Sequence, residues 1–219
     1  MITEKDIRKL HLKYSTGKSA QISFDINWTH SLIVKEIAMQ FTKKLKKRGL
    51  EVNEDMVKIG ALIHDIGVYQ IWEAESSNMR NIPYISHGLI GYNILIKEGY
   101  SIKHSRFALT HTGLGITKEN IKEQKLQLPL NDYIPITLEE ELIAFADRFH
   151  TKQPSFCTFE EEKRKLEKFD SIKGMKMDLF KKKFGLPNLS PLINKYEKWH
   201  LKTNILLNDI IREQNKTQQ

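Results

Sequence analysis

The stretch that most constrains this chain is Ala61-Leu62-Ile63-His64-Asp65-Ile66-Gly67, an apolar run that reaches an adjacent histidine and aspartate and then a glycine. An apolar helix end that delivers an imidazole and a carboxylate to one point offers a divalent cation one nitrogen and one or two oxygens. Glycine two residues later suits a chain that must leave the helix sharply. A His-Asp dipeptide alone is common. Here His30 precedes it, and His87, His111 and Asp147 follow.

The flanking sequence reads as helices. From Trp28 to Arg48 the positions Leu32, Ile33, Ile37, Phe41 and Leu45 recur at close to helical spacing, Gly49 stops the helix, and His30 lies near its start. Lys43 to Arg48 bring positive charge to the helix end, where it complements the macrodipole. Asn53 caps a second helix that is apolar on most sides, as for a central, buried element, and ends at His64 and Asp65. Thr3 with Asp6, Thr137 with Glu140 and Thr158 with Glu161 have the spacing of capping boxes. Residues 13–23 read as a loop, and residues 68–85 as an irregular segment too long for a plain connection, which suggests a lid or substrate loop. Ser86 caps a helix to Glu98, Ser101 opens one to about Thr112, and the helix from Leu138 to His150 carries Asp147 in its last two turns. Helices from Thr158, Gly174 and Ser190 follow, with no strand pattern, so the expected class is all-α: a bundle over residues 1–157 and a basic helical extension over 158–219. The extension either packs on the bundle or serves association, as in a homodimer.

The length of 219 residues suits one domain with an appendage. The first residues lack an apolar leader, no run is long enough to span a membrane, and the single Cys157 excludes an internal disulfide, so a cytoplasmic, reducing setting is expected. Charge is uneven, with 11 basic against 4 acidic side chains in residues 1–50, 9 against 14 in 51–150 and 15 against 9 thereafter. An acidic centre between basic flanks fits a cation site with walls suited to a phosphate ester. A pI near 9.3 permits nucleic-acid binding, but no interleaved aromatics support it.

Ligands from several helices can converge in a bundle core. Mixed imidazole and carboxylate ligation suits Fe, Mn, Ni or Zn better than Ca. One metal would need His30, His64, Asp65 and Asp147. Adding His87 and His111 serves a second, with Asp65 as bridge. Two ions roughly 3.5–4 Å apart can activate a water and clamp a phosphoryl oxygen, so no side-chain nucleophile is required. His87 and His111 could instead contact phosphate or satisfy core hydrogen bonds. Arg80, Lys118 and Arg148 are candidates for substrate phosphate, with a salt bridge as the competing role of Arg148. His11, His104, His150 and His200 read as structural or exposed.

In their order along the chain, His30, His64-Asp65 and Asp147 resemble the pattern of the HD superfamily of metal-dependent phosphohydrolases. Thr29-His30-Ser31, Leu62-Ile63-His64-Asp65-Ile66-Gly67 and Phe145-Ala146-Asp147 are similar to that family's local words, the second to those of its HDIG subgroup. Ser86-His87-Gly88 and Thr110-His111-Thr112 resemble the extra histidines of its bimetallic branch, which includes diadenosine tetraphosphate hydrolases and HD-GYP phosphodiesterases. Gly91-Tyr92-Asn93 stands where the latter carry Gly-Tyr-Pro. The resemblance covers roughly residues 25–150. It implies a hydrolase that uses one or two divalent metals (Fe, Mn, Ni, Zn or Mg) on a phosphomonoester or phosphodiester, in a nucleotide or other phosphorylated small molecule. His64 and Asp65 would be at the catalytic heart. A di-iron oxygenase of similar ligand pattern and a non-catalytic nucleic-acid or partner-binding module are the alternatives.

Overall fold

The structure, a computed structural model, describes residues 2–17, 19–76 and 82–217, leaving out the side chains of 73–76 and 213–217. Its helices are α1 (Glu4–Tyr14), α2 (Ala20–Lys47), α3 (Glu54–Ile63), α4 (Val68–Ser76), α5 (His87–Lys97), α6 (Ile102–Thr110), α7 (Lys118–Glu123), α8 (Leu138–Ala146), α9 (Phe159–Phe169), α10 (Ser171–Phe184) and α11 (Ser190–Thr217). An antiparallel hairpin of β1 (His150–Thr151) and β2 (Ser155–Phe156) is the small departure from an all-α chain.

The apolar helix before His64 is the centre of the bundle. α3 packs against α1, α2, α6 and α8, and Val57, Ala61 and Ile63 are fully buried. Asn53 caps it by accepting the Met56 N–H at 3.1 Å. Gly60 lets α6 come close, since a Cβ there would lie 2.6 Å from the Phe107 ring. Gly49 ends α2 with φ +78°, as expected of a glycine just past a helix.

Gly67 has another role than the sharp exit expected of it. Its φ is not in the left-handed region. A Cβ at Gly67 would instead lie 2.1 Å from the His87 carbonyl oxygen and 2.5 Å from the Gly91 nitrogen. The missing side chain lets the backbone after His-Asp cross directly over α5, which sets His87 beside Asp65.

Several expected boundaries move. α2 begins eight residues before Trp28, at Ala20, because Phe24 and Ile26 are buried and Asp25 accepts a 2.8 Å hydrogen bond from the Trp199 indole of α11. Residues 68–76 are helical rather than irregular. Val68, Tyr69 and Ile71 bury one side of α4, which lies against α2 and α5. Ser86 makes no side-chain cap; a 3-10 turn, Tyr84–Ser86, leads into α5. α8 stops at Ala146, and Asp147 opens a 3-10 turn that sends the chain into β1. The boxes at Thr3 and Thr158 form in full. At Thr137 only half forms, because the Glu140 carboxylate accepts from Ile136 N–H and Arg106 instead.

Beyond β2 the apolar core continues. Phe145 packs its ring against Phe41, Phe149, Phe159, Phe180 and Phe184, which joins α2 and α8 to α9 and α10. α11 runs back along α2, where Tyr196 Oη donates to Glu36 at 2.6 Å. No helix among the described residues is long and apolar enough to cross a membrane.

Candidate metal centre

His30, His64, Asp65, His87, His111 and Asp147 come together from α2, the ends of α3 and α6, the start of α5 and the turn after α8, all at most 4% exposed. They form two clusters that share one residue. His30, His64, Asp65 and Asp147 make one, and Asp65, His87 and His111 the other, with the candidate ligand atoms of each within 4.8 Å of one another.

Asp65 faces both ways. Its Oδ2 lies 3.2 Å from His30 Nε2 and 3.2 Å from His64 Nε2. Its Oδ1 lies 3.4 Å from His87 Nε2 and 3.2 Å from His111 Nε2. Asp147 Oδ1 closes the first cluster, 3.1 Å from His30 Nε2 and 3.5 Å from His64 Nε2.

The imidazoles are turned by a local device. The last carbonyls of a helix have no partner within it. His64 and His111 each stand just past a helix and fold back, so that Nδ1–H donates to Ala61 O (2.8 Å) and Ala108 O (2.9 Å). His87 does the same from the end of its 3-10 turn to Tyr84 O at 2.6 Å. Each bond fixes the tautomer and leaves an Nε2 lone pair facing the centre. His30 is different. It sits inside α2, where carbonyls are already used, and its Nδ1 meets His150 Nδ1 at 2.9 Å. His150 Nε2 in turn meets His200 Nε2 of α11 at 3.0 Å. With the His30 proton on Nδ1, His150 accepts there and donates from Nε2 to His200.

This arrangement fits a cation. His30 Nε2 lies 3.3 Å from His64 Nε2, and His87 Nε2 lies 3.0 Å from His111 Nε2. Lone pairs at that separation repel unless positive charge sits among them. Asp65 Oδ2 meets the Lys152 ammonium, but its Oδ1 is buried without a hydrogen bond, which is costly for a carboxylate oxygen. The donor set, four imidazoles and two carboxylates, suits a transition metal better than Mg or Ca.

Titration follows the same forces. Burial pulls the His64 imidazole down, but Asp65 and Asp147 outweigh it and push it up to about 9, so an ion held at its Nε2 would take the place of a proton there. Burial pushes His87 down to about 3 and lowers His111 too. Asp65 is held well below the usual carboxylate range because Lys152 and His64 outweigh its burial. For Asp147, Arg148 and Lys152 do the same.

The candidates for phosphate divide. Arg80 lies outside the described residues. Lys118 is exposed on α7, 3.7 Å from Asp132. Arg148 turns back onto Asp147 Oδ2 and lies 3.7 Å from Glu162. Its guanidinium thus takes the outer oxygen of Asp147 and leaves Oδ1 to the centre.

Three residues of this neighbourhood escape a reading of the sequence. Lys152, partly buried, pairs its ammonium with Asp65 Oδ2, and desolvation is outweighed by Asp65, Tyr84 and Asp147, which raise its pKa. His150 is buried behind His30 rather than merely structural or exposed. Asn27, one turn before His30, donates to the Asp65 carbonyl at 3.1 Å. The position of Asn27 on the His30 face of α2 was a usable signal. Lys152 and His150 carried none, because their hairpin had no strand pattern.

Comparison with known proteins bears on the same segment. An uncharacterised protein of Methanocaldococcus jannaschii is 40% identical over 126 residues, 57% of this chain and 67% of that protein. A tRNA (cytidine(56)-2'-O)-methyltransferase of Thermoplasma volcanium is 34% identical over 138 residues, 63% of this chain and 34% of the methyltransferase. The methyltransferase of that name in Picrophilus torridus is 40% identical over 92 residues, 42% of this chain and 23% of the methyltransferase. The chain therefore spans only about a third and about a quarter of these two relatives. Among solved structures, the HD domain of the L. monocytogenes phosphodiesterase PgpH is similar, with TM-score 0.48 and 18% identity, over 94% of this chain and 98% of that chain. The family model described as HD domain matches residues 27–152. Because that match takes in more than half of the chain and every residue of the double cluster, the chain belongs to the HD domain family.

Proposed function

We propose that this chain is a metal-dependent phosphohydrolase that cleaves a phosphomonoester or phosphodiester, with a nucleotide as substrate. The observation that carries this reading is the shared Asp65, which turns one oxygen to each of two adjoining histidine clusters. His30, His64, Asp65 and Asp147 would hold one divalent ion, and Asp65, His87 and His111 a second. Such ions supply an activated water at neutral pH and polarise a phosphoryl oxygen.

The rest falls to the chain itself. The Nδ1–H bonds to Ala61, Tyr84 and Ala108 hold three imidazoles in the tautomer that ligation needs. Arg148 orients Asp147, and Asn27 fixes the backbone of Asp65. The enclosure of the six residues keeps competing ligands away and strengthens each charge interaction. Lys152, with its ammonium at Asp65, supplies positive charge where a phosphate would approach.

The test begins with metal content. Protein purified without chelator should hold close to two equivalents of one transition metal by elemental mass spectrometry, and the loaded protein should release phosphate from or cleave a phosphate ester. His64→Ala should cost the ion of the His30 cluster and abolish turnover. No metal uptake, or turnover that needs dioxygen and leaves phosphate esters intact, would overturn the proposal.

A further inference from the structure

A cavity of about 480 Å³ lies between α2, α4, the hairpin and α11. Ile22 and Ile26 of α2, Trp72 of α4, Lys152 of the hairpin, and Leu207 and Ile210 of α11 line it. Ser23 and Gln153 add polar groups to the wall. Its size and its apolar lining with a few polar groups are those of a small-molecule site.

Lys152 connects this cavity to the metal centre. Its stem forms part of the wall, while its ammonium reaches Asp65 Oδ2 and lies 5.9 Å from the Tyr84 ring centroid. α2 makes the same connection, because Ser23 and Ile26 stand seven and four residues before His30, on the helix face that carries it. A molecule with its phosphate at the ions and Lys152 would therefore place its organic part against Trp72 and α11.

We infer that this cavity is the site for the organic group of the substrate, a nucleobase-sized planar ring system of a nucleoside phosphate, and that α11 completes it. The inference rests on the phosphohydrolase reading and adds to it the place of the organic group and the part of α11. A planar ring has the indole of Trp72 to stack on and the isoleucines to cover it, and its edge meets Ser23 and Gln153. A long acyl chain would use neither polar group. Lys152 is the positioning residue for the phosphate at the junction, and Trp72 and Ile210 set what fits behind it.

Binding to the full chain in its metal-loaded form tests this. The probes are AMP, GMP, CMP and UMP, with inorganic phosphate and p-nitrophenyl phosphate for comparison, followed by calorimetry. At least one nucleotide should bind more tightly than inorganic phosphate. Trp72→Ala should weaken that nucleotide on the order of tenfold, as loss of one stacked base does. Ile210→Trp, which fills the cavity from α11, should weaken it at least as much. Leu201→Trp, on the same helix but outside the lining, controls for added bulk. Nucleotides that bind no better than inorganic phosphate, or that keep their affinity within twofold in both cavity variants, would overturn the inference. Tight nucleotide binding that depends on Trp72 and Ile210, without turnover of any phosphate ester, would remove the hydrolase reading and leave the cavity assignment standing.

Discussion

His150→Phe isolates the bond that holds His30. For His30 Nε2 to offer a lone pair, its proton must lie on Nδ1, and the acceptor there is His150 Nδ1 at 2.9 Å. Phenylalanine keeps a ring beside Phe156 and Trp199 but accepts nothing. The buried N–H then goes unsatisfied, at a cost of about 1–3 kcal/mol. Loss of the partner behind a metal-ligating histidine lowers metal affinity about 10–100-fold, the same range reached independently. The expected result is thus one ion weakened by about that factor, the ion of the His30 cluster, while the ion held by His87 and His111 stays. Competition with a chromophoric chelator on protein stripped of metal measures both. His150→Asn should recover most of the loss, since its amide oxygen overlays the imidazole Nδ1. His200→Ala should cost less than about threefold, because His200 is partly exposed and water can replace it. An affinity for both ions within twofold of the parent in His150→Phe, or a His150→Asn as weak as His150→Phe, would refute the reasoning.

Asp65→Ala removes the one residue common to both clusters, so both ions should go, whereas His111→Ala should cost only one; metal counts per chain separate the two cases. Gly67→Ala would drive a Cβ to 2.1 Å from the His87 carbonyl and should destabilise by about 3 kcal/mol or more, read by urea unfolding, with a weakened His87 cluster alongside. The His11 imidazole, between Leu62 O at 2.7 Å and Tyr69 Oη at 2.9 Å, is pushed down to about 4 by burial. Its unfolded value is 6.5, so the unfolded chain binds the extra proton between the two. The stability it supports is present above pH 6.5 and is lost as pH falls toward 4, about 3 kcal/mol in all. Urea unfolding from pH 7 to pH 4 should show that fall, and His11→Gln should shrink it; an identical pH slope in the variant would exclude the assignment.

Much of the site was legible because its signals are local. His64 and His111 stand where a helix ends, and the end itself orients them through carbonyls three residues back. The elements read well where the expected cap or stop formed, as at Asn53, Ser101 and Gly49. Reading failed where burial by distant residues overrode a polar pattern. Residues 20–23 read as the end of a loop, yet they open α2, which α11 covers, and α4 became a helix because Val68, Tyr69 and Ile71 found the core.

What the sequence determined alone is the bundle of amphipathic helices and the ordered set of six residues. Both depend on spacing along the chain, and spacing is what a sequence records. The tertiary structure decided how the two oxygens of Asp65 divide between the clusters, and that Gly67 is small to let α5 cross rather than to turn the chain. It also decided that His150 stands behind His30, and that Lys152 and α11 meet at one cavity. Each of these joins residues far apart in sequence, some of them more than a hundred positions, and only packing brings such groups within hydrogen-bond reach.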